Sequence, residues 1–172
     1  MKRITILLSS IIIISNFIWS YVFFKDIHKP SDIAIQVYNL NGTGEMWDVI
    51  NYQIIVSPSK ILRGHGGLVF KGDPKDIENS TYYEYEFKEI NSSGNYDTVY
   101  ANIASSKDGP VSILNNLSIG SITSEHTYDE LKKNKQNYEN TTLTIIWNDN
   151  KGEIHSETVN LDIANEITLN DF

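Results

Sequence analysis

The chain has 172 residues, enough for one domain and a short appendage, with 40% hydrophobic and 21% charged residues. Its 22 acids outweigh 14 bases for a net charge of −8, which argues against a nucleic-acid partner, because phosphate binding rests on a Lys/Arg excess. Cysteine is absent, and that one fact excludes disulfide frameworks, thiolate zinc sites, cysteine nucleophiles and a lipidated cysteine anchor.

The N-terminal stretch opens with Lys2 and Arg3 and then runs from Ile4 to Phe24 without a charge. At 1.5 Å per residue such a run spans about 31 Å as a helix, matching a hydrocarbon core of roughly 30 Å. A cleaved signal peptide competes with an uncleaved anchor. Secretory apolar regions are shorter and end at small residues, whereas this one ends in Trp19, Tyr21, Phe23 and Phe24, which suits the aromatic belt of a span. Residues 4–24 are therefore expected to form a transmembrane anchor, with 1–3 a cytoplasmic tip and 25–31 a linker. Ser15 and Ser20 keep cleavage open as the alternative. The two leading bases keep the N-terminus cytoplasmic, so the chain from Lys25 onward, with 12 bases against 22 acids, is expected outside, its domain running from about residue 32 to 172.

From Asp32 the pattern alternates as in half-buried strands. "DIAIQVYNL" predicts Ile33, Ile35 and Val37 on one face, and "WDVINYQIIVS" predicts Ile50, Tyr52, Ile54 and Val56 together, with Trp47 at the start. "YYEYEFK" sets Tyr83, Tyr85 and Phe87 opposite Glu84, Glu86 and Lys88. "DTVYANIA" follows a turn, and one or two short strands are expected between Ala104 and Glu125. Thr127 and Glu130 have capping-box spacing and predict a short surface helix over 128–135. "TLTIIWNDNKGEIHSETVNL" reads as a hairpin with Leu143, Ile145 and Trp147 on one face. Seven or so short strands over about 140 residues fit an immunoglobulin-like antiparallel β-sandwich with one short helix.

Chemistry is harder to find. His28, His65, His126 and His155 form no H-x-x-x-H or H-E-x-x-H pair, and His28 and His155 read as ordinary surface histidines. "RGHGGLVFKG" resembles the His-Gly-Gly element of lipase-like hydrolases, but no G-x-S-x-G accompanies it. It also lacks the Lys-Ser/Thr of a phosphate loop. Gly64, Gly66 and Gly67 therefore predict a bend between strands. "NDNKGE" fails as a calcium loop, because Trp147 and Lys151 occupy ligand positions. Asp73, Asp76 and Glu78 read as a solvated acidic turn. No catalytic, cofactor or metal residue is assigned from these patterns, and no cofactor is expected.

"WDVINYQIIVSPSK", "GHGGLVFKGDP" and "TIIWNDNKGEIHSETVNL" together resemble small membrane-anchored extracytoplasmic proteins of Bacillus-type Gram-positive bacteria. The resemblance rests on Trp47, the glycine bend, Trp147 and Gly152. It implies an envelope location and carries no activity. The expected function is a non-enzymatic, membrane-tethered domain that binds an envelope protein or ligand, with Tyr82, Tyr96 or Tyr138 as contact groups. The alternatives are a secreted or surface factor of immunity or stress type released by cleavage, and a wall- or peptide-directed hydrolase in which Glu84 and Glu86 meet another acid.

Overall fold

A computed structural model describes residues 12–21, 34–111, 113–115 and 117–170. The chain divides into two units, Met1–Ile33 and Ala34–Phe172. In the first, residues 12–21 form a helix, α1. Among the described residues no helix is long and apolar enough to cross a membrane. The rest of the expected span, 4–11 and 22–24, lies outside them, as do the linker, His28 and Ile33.

The second unit is mostly β, its described residues forming ten strands in two antiparallel sheets. The first sheet takes β1 (Ala34–Thr43), β2 (Trp47–Val56), β3 (Lys60–Gly64), β4 (Gly67–Phe70), β7 (Ser121–Glu125) and β10 (Asp162–Asn170). Its order is β10-β1-β2-β3-β7, with β4 also on β2. The second sheet takes β5 (Tyr82–Ile90), β6 (Tyr96–Ser105), β8 (Thr142–Asn148) and β9 (Ile154–Asn160), in the order β6-β5-β8-β9. Aromatic side chains join the two sheets. Tyr52 of β2 stacks on Phe87 of β5 at 4.1 Å between ring centroids, and Trp47 meets Trp147 of β8 edge-on at 5.8 Å.

The second sheet follows the sequence pattern. Tyr83, Tyr85, Phe87, Leu143, Ile145 and Trp147 are buried, while Glu84, Glu86 and Lys88 alternate outward on β5. In the first sheet Ile35 and Val37 share a face as expected, but not the core face, and the expectation for β2 fails. In β1 the core side chains are Tyr38 and Leu40, so Ile35 and Val37 take the opposite, outer face. In β2, Trp47, Val49, Tyr52 and Ile54 are buried but Ile50 is exposed and Val56 only half-buried. The cause is a bulge: Asn51 has φ 54°, the pairing with β1 slips between Leu40 and Gly42, and Asn51 N donates to Asn41 Oδ1 at 2.7 Å. One extra residue there reverses the facing of everything before it.

The helix expected over 128–135 is also displaced. Thr127 Oγ1 does accept from Glu130 N at 3.3 Å, but only a single 3-10 turn, Glu130–Lys132, follows. The helix, α2, is Lys135–Glu139, held by an Asn134–Asn137 capping box. Its Tyr138 is buried against Tyr38 at 5.3 Å, and so is a core residue and no contact group.

The glycine bend is architectural. β3 pairs with Gln53–Val56 and β4 with Trp47–Ile50 of the same β2. Between them Gly64 adopts φ 129° and His65 φ 57°, and His65 N donates to Gly120 O at 2.7 Å. The chain jogs past the bulge and resumes pairing on the far side.

Candidate functional site

A concavity of about 580 Å³ lies where the β8–β9 turn meets the β1–β2 turn and the 3-10 turn Pro74–Asp76. The β8–β9 turn forms because Asp149 organises it: Oδ1 accepts from Lys151 N at 2.8 Å and Glu153 N at 2.9 Å, and Gly152 supplies the positive φ of 81°. Asn150 then staples the turn to its neighbour. Its amide N donates to Asp76 O at 2.8 Å, its Oδ1 accepts from Asn79 N at 2.7 Å, and its Nδ2 donates to Lys75 O.

Opposite, the Glu157 carboxylate of β9 sits among the amides of the β1–β2 turn, accepting from Glu45 N, from Met46 N at 3.1 Å and from Trp47 N at 2.9 Å. Gly44 permits that approach, since a Cβ there would fall 2.3 Å from Glu157 Oε1. Met46, Phe70, Ile77 and Trp147 give the cleft an apolar lining, and Trp47 packs behind it against Phe70 at 4.9 Å.

The polar lining is one-sided: Glu45, Asp76, Asp149, Glu153 and Glu157 against Lys151. His155 lies face-on to Trp147 at 5.4 Å, and its Nε2 is 3.3 Å from Asp149 Oδ2. Ligand atoms of Asp149, Glu153 and His155 all fall within 4.8 Å of one another, so these are the described side chains that could jointly hold a cation. Desolvation raises the Asp149 pKa, but the Glu153 amide, His155 and the Lys151 amide together outweigh it and hold the carboxyl below the ordinary aspartate range. A depressed folded value gives stability that is complete above the unfolded pKa and lost as pH falls through the folded one. Asp149→Asn is accordingly expected to lower the thermal midpoint at neutral pH, with the two proteins converging in acid. Thermal melts from pH 7 down to about pH 2 check this, and a gap that persists unchanged in acid would refute it.

Comparison with protein-family models, curated proteins and solved structures returns no match. The cleft must be understood from its own residues.

Of the groups singled out in the sequence, His155 and Asp76 come into the cleft, while His65 is exposed at the glycine bend and His126 Nε2 lies 2.7 Å from Ser57 O. Asp73 caps its 3-10 turn by accepting from Lys75 N at 3.0 Å. Glu84 accepts from Tyr82 Oη at 2.5 Å, and Glu86 pairs with Lys88 and Thr98. Sequence patterns missed Glu157, which strand pairing brings to the amides of the β1–β2 turn; Asp149 and Glu153 lie in "NDNKGE", which fails as a calcium loop, and the turn itself brings them beside His155. The patterns also missed a buried ionic cluster. Arg63 holds Glu89 through both oxygens at 2.6 and 2.7 Å and reaches Glu130 at 2.8 Å, while Lys133 bridges the same two acids at 2.9 and 3.1 Å.

Proposed function

We propose that the chain is a non-enzymatic binding domain of the bacterial envelope, tethered to the cytoplasmic membrane through residues 4–24 with its C-terminal domain outside. Its end cleft receives a positively charged group of an envelope protein or ligand. The observation that carries the reading is the cleft itself, where five carboxylates and one lysine surround an apolar lining. Two of those carboxylates, Asp149 and Glu157, are held in place by backbone amides. Charges fixed by backbone bonds need no reorganisation to meet a cation, which favours recognition. The tether is supported by the uncharged run Ile4–Phe24 behind Lys2 and Arg3. Within this reading the domain is an immunoglobulin-like sandwich, supported by its two antiparallel sheets and the buried tryptophans between them.

The test is fractionation of cells expressing a C-terminally tagged chain, with protease treatment of intact protoplasts. A membrane-bound tag lost to protease is the expected result. A shortened soluble form in the medium would replace the tether with a secreted factor, and a protected membrane-bound tag would invert the orientation.

A further inference from the structure

The end cleft combines charge with an apolar wall, and the way its acids are held narrows the ligand. Its volume of about 580 Å³ is that of a pocket for a small molecule or a long side chain. Met46, Phe70, Ile77 and Trp147 supply the wall. The acids around it are not neutralised from within. Among the described residues their one ion pair is Asp149 with His155 at 3.3 Å. Lys151, the lysine of the lining, forms none, and the nearby Lys71 is engaged by Asp48 and by Gly44 O. An uncompensated field inside a concave surface concentrates cations.

We infer that the cleft takes the side chain of a lysine from a partner polypeptide, with its methylenes on the apolar wall and its ammonium beside Asp149 and Glu153. The inference rests on the reading of the cleft as a cation site and names the cation.

Three kinds of cation compete, and the lining separates them. A bare divalent ion would use the acids and His155 but none of the apolar wall, whereas a charged head on an aliphatic stem uses both. A guanidinium is a rigid fork that suits two free oxygens of one carboxylate. No fixed carboxylate here offers them: Asp149 Oδ1 already accepts from two amides, and both oxygens of Glu157 accept from the β1–β2 turn. Asp149 Oδ2 is left as a single oxygen on one side, with the Glu153 carboxylate as a separate acceptor. An ammonium is a compact charge with three donors that point apart. Acceptors set tetrahedrally about it at ordinary hydrogen-bond length stand about 4.7 Å from one another, and the ligand atoms of Asp149, Glu153 and His155 all fall within 4.8 Å. One ammonium therefore reaches more than one of them.

The test uses the full chain in a neutral detergent, followed by tryptophan fluorescence, because Trp147 lines the cleft. The probes are Nα-acetyl-lysine methylamide, its norleucine and arginine counterparts, and Zn²⁺ alone. A saturable change with the lysine probe is expected, with a Kd on the order of 1 mM for a ligand of that size. The norleucine probe, which keeps the stem and lacks the charge, should bind at least about tenfold more weakly, and added salt should weaken the lysine probe. Glu153→Gln should weaken the lysine probe about threefold or more at an unchanged thermal midpoint, because that carboxylate is exposed and makes no bond within the domain among the described residues. Equal binding of norleucine overturns the inference and the cation reading together, as does the failure of every charged probe. Equal or tighter binding of the arginine probe, or binding of Zn²⁺ without the lysine probe, overturns the inference alone, since the cleft would still receive a cation. None of these outcomes depends on the tether, which the protoplast experiment tests separately.

Discussion

Glu89→Ala is expected to destabilise the domain by about 3–5 kcal/mol, the usual cost of removing one partner from a buried ionic cluster. Glu89 is fully buried and Arg63 nearly so, and Lys133 is 2% exposed at its side chain. With all four members present, two cations balance two carboxylates. Without Glu89, Arg63 and Lys133 share Glu130 alone, and a net positive charge is left in the interior. The neighbouring Tyr52 hydroxyl is buried without a hydrogen-bond partner, and desolvation by burial, the largest cause of its raised pKa, persists when Glu89 is removed. The double variant Arg63→Met/Glu89→Leu leaves Lys133 and Glu130 paired at 3.1 Å and fills the space with apolar atoms. It should recover at least about 2 kcal/mol relative to the sum of the single variants. Urea titrations of wild type, Arg63→Met, Glu89→Leu and the double variant measure the coupling. Additive losses would show that Arg63 and Glu89 contribute independently of each other, against a coupled cluster.

That cluster was legible in principle. In β5 the inward positions run Tyr83, Tyr85, Phe87, Glu89, so an acid ends an apolar face. In β3, Ile61 and Arg63 share the inward face in the same way. A charge at a core position calls for an opposite charge, and each strand announces half of the pair; only the fold says that the two halves meet. The second sheet could be read from its alternation because its outer positions are charged. The first sheet could not, because Ile35 and Val37 are apolar on a face that the fold turns outward, and alternation cannot rank two apolar faces. The bulge at Asn51 left no signal beyond an Asn. The cleft was hidden for a different reason: Glu157 and Asp149 are common acids in a common hairpin, and their roles arise from the amides that tertiary structure delivers to them.

Gly64→Ala is expected to cost about 3 kcal/mol or more, from a strained backbone with a steric conflict added. Gly64 has φ 129°, a conformation left essentially to glycine. An added Cβ would lie 2.2 Å from Gly120 O and 2.6 Å from Ser121 Cα, both of them backbone atoms that no rotamer change can move. Relief requires β7 to separate from β3, and with it the pairing from Gly64–Ser121 to Lys60–Glu125. Gly152→Ala separates the two contributions, since its φ of 81° is also positive but nothing stands within 4 Å of the added carbon. It should cost only the conformational part, about 1 kcal/mol. Thermal or urea unfolding gives the two losses, and amide exchange in Ser121–Glu125 locates the first. Faster exchange confined to that strand in Gly64→Ala is the expected pattern. Equal losses for the two variants would mean that backbone conformation alone sets the requirement, and that β3 and β7 do not need their close approach at the bend.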